Sequence, residues 1–486
     1  MRLSELFREV EFDGSIKNDA DINLVTDDSR LVRPGSLFVC IRHRSFDGHT
    51  AALDALASGA AAVVTQDRLG LENELHVADS RSTYARLCAA LCNHPERKLR
   101  MIGVTGTNGK TTVTTLIRNI LSDSGTKTLL TGTVCNRLGD ENLPSGLTTP
   151  KPPELYSLLS RAVSQRCKAG VMEASSQALA QGRLEGIDFD AAVFTNITRD
   201  HLDYHGTFED YISAKKKLFE HSALSIVNLD DPRTNEIIAA SKGKIITFST
   251  VLDCADYTAK NISLLSDCVR FELVSKGHIE HIEFASPGLF SVSNAMAAAV
   301  CAINLGIEPK DAAQSLAKSK SVCGRLERVE CSAPYSVIID YAHTPDGLEQ
   351  VLRALRPSCR GKLIVLFGCG GDRDRTKRPL MGAAACKYAD KIIVTSDNPR
   401  SEDPTKIIGD ILKGTDKKRR DLFVEPDRRK AIALALKTAE PGDTVLLAGK
   451  GHEKYQLIGG EKLPLDERET VRKILGLPHD TGRKKQ

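Results

Sequence analysis

The sequence predicts an α/β protein of three domains, and three observations lead to this fold class. Short apolar runs typical of buried strands alternate with amphipathic helical patterns along nearly the whole chain. The length of 486 residues corresponds to about three domains of roughly 100–200 residues each. A glycine-rich loop at residues 103–112 opens a phosphate-loop (P-loop) unit in the middle. We therefore expect a mixed α/β domain at 1–98, a central P-loop ATPase-type parallel sheet at 99–325, and a Rossmann-like doubly wound sheet at 326–486.

The first two units each contain clear strand candidates. In the first unit, strand patterns at 36–41 and 61–64 flank a helical pattern at 50–59. In the second unit, the runs at 171–174 and 191–195 are apolar almost throughout, which is typical of parallel strands that are buried on both faces.

The third unit alternates strand and helix patterns and so predicts a doubly wound sheet. Its strand candidates are residues 336–339, 362–367, 391–394 and 444–447. Ligands of such sheets bind beyond the carboxyl ends of the strands. The residues found just past these ends are Asp340, Gly368, Asp397 and Gly449.

Composition favours a soluble cytoplasmic protein. Charged residues make up 27% of the chain, hydrophobic ones 41%, and the net charge is +4. The 13 cysteines form no CxxC pair, which favours reduced thiols. The first residues lack the apolar core of a signal peptide, and no apolar run approaches the ~18 residues of a membrane span. The basic runs at 417–420 and 483–485 fit a solvated surface, so we expect no nucleic acid partner.

The stretch 103-GVTGTNGKTT-112 is the strongest motif. An apolar strand precedes it, and the helix after it has apolar residues at Val113, Leu116, Ile117, Ile120 and Leu121. Loop amides and the helix N-terminus bind phosphate oxygens in such a motif. Val104 stands where the general pattern has glycine, so this is a variant loop. The predicted nucleotide contacts in the loop are Gly106, Thr107, Asn108, Gly109, Lys110, Thr111 and Thr112.

Metal-ligand candidates follow buried strands. Lys110 is expected to reach the outer phosphates of ATP, and the Thr111 hydroxyl to hold Mg²⁺. Glu173 and His201 could bind a second divalent ion beside the phosphates. A third candidate, Lys215, lies in the stretch 211-YISAK-215. The spacing of His201 and His205 leaves zinc open, but no third soft ligand is close in sequence. Taken singly, each of these residues is more readily explained as a satisfied polar group at a strand end than as a ligand.

Together these motifs resemble the Mur ligases, ATP-dependent enzymes that add amino acids to the cell-wall precursor. The resemblance rests on GTNGKTT, MEASS, TNITRDHLDYHG, the YxxAK segment, GRLE, DYAHTPDGLE and GKGHE, in the family's order over residues 26–468. Within the family, the chain is most similar to the branch that adds the third residue of the peptide. This resemblance implies peptidoglycan precursor synthesis, with UDP-MurNAc-L-Ala-D-Glu and ATP as substrates, Mg²⁺ as cofactor and a monomer as the working unit.

The resemblance also implies roles for individual residues. The N-terminal domain becomes the uridine-nucleotide domain, in which 26-TDDSR-30 and 43-HRSFDGH-49 make Ser29 and His43 candidates. Contacts to the muramoyl-peptide side carry over to Thr148, Thr149, Ser175, Gln181 and Arg183. Nucleotide contacts carry over to Asn294, Arg325, Asp340 and His343. Ser291 stands where the family often has asparagine.

The family's catalytic set corresponds to Lys110, Glu173, His201 and Lys215. In the family the lysine of YxxAK is carbamylated (N6-carboxylysine), which makes Lys215 a metal ligand as its carbamate. The implied reaction has two steps. The D-Glu carboxylate attacks the γ-phosphate to give an acyl phosphate and ADP, and an amine then displaces phosphate. We identify no base for the amine.

The loop 397-DNPR-400 favours meso-diaminopimelate as the incoming amine. Diaminopimelate differs from lysine by a carboxylate on the distal carbon, which a guanidinium such as Arg400 binds through two parallel hydrogen bonds. Asp397 and Asn398 could contact the groups around that carboxylate. The further candidates for the diaminopimelate site are Arg378, Gly449 and Glu453.

Three alternatives remain. The first is the same ligase with L-lysine as acceptor, which Arg400 disfavours. The second is a folylpolyglutamate-type ligase, which lacks the N-terminal uridine-binding domain. The third is a nucleotide-binding scaffold without turnover, which would be expected to lose Lys110, Glu173, His201 or Lys215, all of which are present.

Overall fold

The computed structural model describes residues 1–43, 46–416 and 418–478. Arg44 and Ser45 of the His43 loop, Lys417 of the first basic run, and the second basic run at 483–485 lie outside the described residues. The helices are α1 (Leu3–Leu6), α2 (Ala52–Ala57), α3 (Ser80–Leu91), α4 (Lys110–Asp123), α5 (Pro152–Ser164), α6 (Ser176–Ala180), α7 (Leu202–His205), α8 (Phe208–Glu220), α9 (Thr234–Ala240), α10 (Leu289–Asn304), α11 (Pro309–Lys318), α12 (Pro345–Leu355), α13 (Lys377–Tyr388), α14 (Pro404–Leu412), α15 (Arg428–Lys437) and α16 (Glu467–Ile474). Short 3-10 helices lie at Ser29–Leu31, Gly48–Ala51, Pro95–Lys98 and Arg356–Ser358.

The strands form four sheets in the described part of the chain. They are β1 (Leu24–Thr26), β2 (Ser36–Val39), β3 (Ala60–Thr65), β4 (Glu74–His76), β5 (Arg100–Thr105), β6 (Thr128–Thr131), β7 (Asn136–Leu138), β8 (Glu141–Leu143), β9 (Ala169–Glu173), β10 (Ala191–Phe194), β11 (Leu224–Asn228), β12 (Lys244–Ser249), β13 (Tyr257–Leu264), β14 (Val269–Ser275), β15 (His278–Phe284), β16 (Glu327–Arg328), β17 (Ser336–Asp340), β18 (Leu363–Phe367), β19 (Lys391–Val394), β20 (Leu422–Val424), β21 (Thr444–Ala448), β22 (Tyr455–Ile458) and β23 (Glu461–Pro464).

The first sheet has the order β1-β2-β3-β4, and all its strands are parallel. Its strands β2 and β3 lie on either side of α2 along the chain, as the sequence patterns predicted. The sheet is buried against α1 and α3 through residues such as Leu6, Leu37, Val64 and Leu87.

The central sheet has the order β15-β14-β13-β12-β11-β10-β5-β9-β6-β7-β8. The strands from β13 to β6 in this order are parallel, and antiparallel strands extend the sheet at both edges. The predicted parallel sheet is therefore the middle of a larger mixed sheet. Helix α4 packs its apolar stripe, including Val113, Ile117 and Leu121, into the core on one face.

The third sheet has the order β16-β17-β21-β18-β19-β20, with β16 antiparallel and the others parallel. Alternate residues of β18 face opposite cores. Leu363, Val365 and Phe367 pack with α12, α13 and α14. Ile364 and Leu366 pack with α15. Helices on both faces confirm the predicted doubly wound sheet.

A two-stranded hairpin, β22–β23, follows the third sheet. It is joined to the loop after β19, because the backbone of Arg400 forms a bridge with Ile458.

All cysteines are free thiols. Among the described helices, none combines the length and the apolar character needed to cross a membrane.

Candidate active site

The phosphate loop connects β5 to α4, as predicted. Gly106 and Gly109 have positive φ angles of 154° and 87°. A Cβ on Gly106 would lie 1.9 Å from Thr195 Oγ1, and one on Gly109 would lie 2.5 Å from Asn294 Oδ1. Glycine is therefore required at both positions, both for conformation and for space.

Two cavities share the phosphate loop as a wall. The larger, of about 450 Å³, contains these predicted nucleotide contacts: Asn108, Gly109, Thr111, Thr112, Asn294, Arg325 and Asp340. The smaller, of about 130 Å³, is lined by these predicted residues: Thr107, Lys110, Thr148, Glu173, Ser175, His201, Lys215 and His343. Gly106 lines neither cavity, and its carbonyl accepts hydrogen bonds from Lys110 Nζ (2.8 Å) and Lys215 Nζ (2.9 Å). Ser291 lines the larger cavity, and its hydroxyl is bound to Pro287 O at 2.8 Å.

Glu173 is held at the end of β9 by three hydrogen bonds. Its Oε2 accepts from the hydroxyls of Thr111 (3.1 Å) and Thr133 (3.0 Å). Its Oε1 accepts from the Thr133 backbone N–H at 2.8 Å. Arg325 reaches across from the segment before β16 and donates to Thr111 Oγ1 at 3.1 Å. A buried carboxylate beside a phosphate-loop hydroxyl is a donor set that suits Mg²⁺.

Lys215 is fully buried, and no carboxylate of the described residues lies at hydrogen-bond distance from its Nζ. Its Nζ donates to Gly106 O and, at 3.4 Å, to Thr105 Oγ1, and lies 4.6 Å from the centre of the Tyr211 ring. Burial, reinforced by the charge of Lys110, holds the pKa of Lys215 well below its usual range. The amine is therefore biased toward its neutral form.

His201 and His343 both face Asp200. The imidazole Nε2 of His201 lies 3.4 Å from Asp200 Oδ2, and that of His343 lies 3.8 Å from the same oxygen. His343 Nδ1 donates to Tyr341 O at 2.9 Å, which leaves its Nε2 toward the carboxylate. Burial lowers the pKa of His201 to about 4 despite the nearby carboxylate. The neutral imidazole is the form that binds metal ions.

The residues predicted to contact the muramoyl peptide form a connected group. Thr149 Oγ1 donates to Glu173 O at 2.6 Å, and Ser175 caps helix α6. Arg183 donates to Thr149 O (2.8 Å) and to Gln181 Oε1 (2.6 Å). Thr148 Oγ1 lies 3.0 Å from the Thr133 hydroxyl, which connects this group to Glu173.

Ser29 and His43 lie apart from these cavities, near the carboxyl ends of the first sheet. Ser29 begins a 3-10 helix that the side chain of Asp28 caps. His43 Nε2 lies 3.5 Å from Asp27 Oδ2, and Lys151 Nζ lies 3.9 Å from the same oxygen. Asp27 thus lies between His43 and Lys151, and Ser29 follows it two residues along the chain.

The predicted acceptor residues surround a buried ammonium. Lys450 Nζ lies 2.7 Å from Glu453 Oε2, 2.9 Å from Asn398 Oδ1 and 3.5 Å from Asp397 Oδ1. Asn398 Nδ2 donates to Glu453 Oε2 at 2.9 Å. We call Asp397, Asn398, Lys450 and Glu453 the acceptor cluster.

Arg400 and Gly449 lie beside this cluster. Arg400 is half-buried in the left-handed region (φ 54°), its Nη1 donates to Gly371 O at 2.6 Å, and its backbone N–H donates to Leu457 O at 2.9 Å. Gly449 has φ 107°, and a Cβ there would lie 3.0 Å from Asp397 Oδ2. The hairpin β22–β23 thus fixes the backbone that carries the guanidinium.

Arg378 lies at the start of α13 and pairs with carboxylates of the protein. Its side chain is 1% exposed, and its two Nη atoms donate to Glu402 (2.8 and 3.1 Å) and Asp410 (3.0 Å). Its Nε is buried and has no hydrogen-bond partner among the described residues. These contacts hold α13 to α14, and a contact of Arg378 with diaminopimelate stays a prediction.

Some residues at these sites were missed in the sequence. Lys450 and His452 lie inside the GKGHE motif, but roles were predicted only for its first and last residues, Gly449 and Glu453. Thr133 lies in a loop without a motif, and Asp346, whose Oδ2 accepts from Asn108 Nδ2 at 3.1 Å, lies at the start of α12. The GKGHE motif was the available signal for the first two, the motif DYAHTPDGLE contains Asp346, and Thr133 had no signal.

One tight group of potential metal ligands exists elsewhere in the described residues, formed by Asp47, His49 and Asp67. His49 Nδ1 donates to Asp47 at 2.6 Å, while its Nε2 accepts from the Gln66 N–H at 3.1 Å. Arg42 contacts both carboxylates. Both ring nitrogens are thus engaged, and this group is an ion-pair cluster.

Comparison with known proteins matches nearly the whole chain. Family models described as "Mur ligase family, catalytic domain", "Mur ligase middle domain" and "Mur ligase, glutamate ligase domain" match residues 21–89, 104–302 and 324–451. A UDP-N-acetylmuramoyl-L-alanyl-D-glutamate–2,6-diaminopimelate ligase of Caldanaerobacter subterraneus is 43% identical over 480 residues, covering 98% of this chain and 99% of its own.

Solved structures agree with this match. A structure of a UDP-N-acetylmuramoyl-L-alanyl-D-glutamate–2,6-diaminopimelate ligase has a TM-score of 0.71 and 35% identity, covering 98% of this chain and 99% of its own. A folylpolyglutamate synthase of Mycobacterium tuberculosis, solved with ADP and AMPPCP, has a TM-score of 0.64 at 18% identity, covering 82% of this chain and 96% of its own. That second likeness shows the fold alone.

A P-loop nucleotide site facing a doubly wound sheet defines an ATP-dependent α/β enzyme. The chain belongs to the Mur ligase family, whose members are ATP-dependent ligases that form amide bonds. The family resemblance inferred from the motifs is confirmed.

Proposed function

We propose that this protein joins meso-diaminopimelate to the D-Glu carboxylate of UDP-MurNAc-L-Ala-D-Glu in peptidoglycan precursor synthesis, with ATP converted to ADP and phosphate. The observation that carries the proposal is the 130 Å³ cavity. There Lys110, Glu173 and Lys215 of the central unit meet Tyr341 and His343 of the third unit. A phosphoryl group held by the phosphate loop would thus face the sheet end that carries the acceptor cluster. We propose borders between the three units at 98/99 and 325/326.

In the first step, an oxygen of the D-Glu carboxylate attacks the γ-phosphorus of ATP, and the bond to the ADP oxygen breaks. Lys110, whose ammonium lies at the phosphate loop, offsets charge on the transferred group. Thr148 and Ser175 line the same cavity as Glu173, and Arg183 donates to Thr149 O beside them, so these three residues are suited to orient the peptide. The enzyme's contribution is positioning and charge neutralisation.

In the second step, the amine of the acceptor attacks the acyl carbon. Phosphate leaves, and the amine loses a proton. The acceptor cluster and Arg400 hold the distal end of diaminopimelate: Asp397 and Glu453 attract its ammonium, and Arg400 binds its carboxylate. Lysine has no carboxylate to offer Arg400, which argues against the L-lysine alternative.

Thr111, Glu173, His201 and Lys215, the last as its carbamate, are the residues that would hold Mg²⁺. The ion would neutralise phosphate charge during transfer. A lysine amine kept neutral by burial is the form that adds CO₂, which supports Lys215 as the modified residue. Such an enzyme works where ATP and its nucleotide-linked substrate are made, so we place it in the cytoplasm. We also propose that it acts as a monomer, as the family resemblance implies.

The test measures phosphate release with ATP, Mg²⁺ and UDP-MurNAc-L-Ala-D-Glu, comparing meso-diaminopimelate with L-lysine. Arg400→Ala should lower kcat/KM for diaminopimelate at least about a hundredfold, because losing one buried charged partner costs about 3–5 kcal/mol. Arg375→Ala is the matched control, since Arg375 is 70% exposed and pairs with Glu402.

Turnover with diaminopimelate alone supports the proposal. Turnover with lysine alone would keep the ligase and overturn its acceptor. No turnover with either amine would favour the scaffold without activity. Equal kinetics of Arg400→Ala and wild type would remove Arg400 from the acceptor site.

A further inference from the structure

A buried lysine ammonium organises the acceptor cluster. The Lys450 side chain is 0% exposed and lies in the turn after β21. Its three N–H groups match three acceptors, Glu453 Oε2, Asn398 Oδ1 and Asp397 Oδ1. We infer that Lys450 is a positioning residue that sets the geometry and charge of the acceptor pocket. This inference rests on the proposed function.

The ammonium fixes which way the Asn398 amide points. An ammonium and a backbone N–H can only donate, so the oxygen of Asn398 must face Lys450 Nζ and the Leu457 N–H, which lies 3.0 Å away. The amide nitrogen is then turned to Glu453. Without the ammonium, one of the two donors that define this orientation is lost.

The ammonium also sets the charge of the pocket. Asp397 and Glu453 are two carboxylates around one small volume, and Lys450 compensates one of them. Burial opposes ionisation of Asp397, but the charges of Lys450, Arg428 and His343 keep its pKa below the usual value. One net negative charge therefore remains to attract the ammonium of an acceptor, beside the guanidinium of Arg400 that attracts its carboxylate.

The backbone of this region is held by other groups. Arg428, paired with Glu467, donates to Ser396 O at 3.2 Å and to Ala448 O at 2.8 Å, which ties the ends of β19 and β21 together. The Gly449 N–H donates to Asp340 O at 3.0 Å. The hydrogen bonds of the Lys450 ammonium instead go to side chains of the proposed pocket. The role of Lys450 in the pocket can therefore be tested separately from the stability of the fold.

The experiment replaces Lys450 by Met, which keeps the length and removes the charge. KM for meso-diaminopimelate should rise at least about tenfold, the effect of losing one charge-assisted hydrogen bond. KM for ATP and for UDP-MurNAc-L-Ala-D-Glu should stay within about twofold, since those sites do not contact the lysine. Lys454→Met is the matched control, because Lys454 lies four residues on and is 74% exposed.

Lys450→Gln, which retains two N–H donors without the charge, should give an intermediate KM. An unchanged KM for the acceptor in Lys450→Met would overturn the inference, as would an equal rise in the KM of all three substrates. Failure of both variants to fold would also overturn it, since the lysine would then hold the domain. Absence of turnover in the wild-type protein would instead contradict the proposed function itself.

Discussion

We predict that replacing His452 by glutamine removes part of the acid sensitivity of the protein. His452 lies between Lys450 and Glu453 of the acceptor cluster in the sequence, and its ring lies 5.2 Å from the ring of Tyr341. Its Nδ1 is buried and has no hydrogen-bond partner within the described residues. Burial, together with the charges of Arg325, Arg468 and Lys450, lowers its pKa to about 4. A proton on this ring would add a positive charge beside those of Arg325, Arg468 and Lys450.

The sign and size of the effect follow from this pKa. The unfolded chain binds a proton on His452 below about pH 6.5, whereas the folded chain does so only below about pH 4. The folded state therefore loses stability relative to the unfolded state as the pH falls through this window. Each pH unit costs about 1.4 kcal/mol, so the loss at pH 5 is about 2 kcal/mol.

The assay compares melting temperatures of wild type and His452→Gln at pH 7 and pH 5. Other titrating groups are common to both proteins and cancel in the difference. A change of about 2 kcal/mol corresponds to about 4–8 °C in a domain of this size, so the variant should lose less of its melting temperature than wild type does. His281→Gln, at a side chain that is 81% exposed, is the control. Equal losses of melting temperature between pH 7 and pH 5 in wild type and His452→Gln would refute the reasoning.

Two further predictions concern the phosphate side. Glu173→Gln should raise the Mg²⁺ concentration for half-maximal turnover at least about tenfold, while the amide oxygen can still accept the Thr133 N–H and preserve the fold; an unchanged Mg²⁺ titration would argue against this carboxylate as a ligand. Gly106→Ala should weaken ATP binding at least about tenfold, because its Cβ would overlap Thr195 and its φ is unfavourable. The ATP-induced rise in melting temperature measures this binding. Gly146→Ala, where a Cβ meets nothing within 4 Å, is the control, and equal ATP responses of the two variants would contradict the prediction.

The fold class was accessible from sequence because its signals are local. The strand predicted at 391–394 coincides with β19, whose last three residues are fully buried. The antiparallel edge β14–β15 has no continuous apolar run, and the alternation of apolar and polar residues in β14 is a weaker signal that the sequence analysis did not use. Residues of β14 alternate between buried and partly exposed, as with Phe271 and Glu272, and β15 is mostly exposed. A strand at a solvated edge resembles ordinary polar surface in sequence.

The residues of the candidate site likewise divide into those that a local motif predicts and those whose role depends on partners distant in the sequence. Residues within one motif, such as Lys110 and Thr111, were found because the chemistry of the motif specifies them. The ion pairs of Arg378 could not be predicted, because its partners Glu402 and Asp410 lie 24 and 32 residues further along the chain. Only the folded chain shows that these carboxylates bind its two Nη atoms. Likewise, the charge around Lys450 depends on a strand end some fifty residues away.

The contacts between the central and third units explain how substrates can reach so small a cavity. A volume of about 130 Å³ is below the roughly 300–1,000 Å³ of ordinary ligand pockets. The contacts that close it are polar, such as the hydrogen bond between Asn108 and Asp346 and the 3.8 Å approach of His343 Nε2 to Asp200 Oδ2. Polar contacts of this kind each stabilise by only about 1 kcal/mol. We therefore expect the third unit to move away from the phosphate loop when substrate enters, and added charge at His452 to favour that movement.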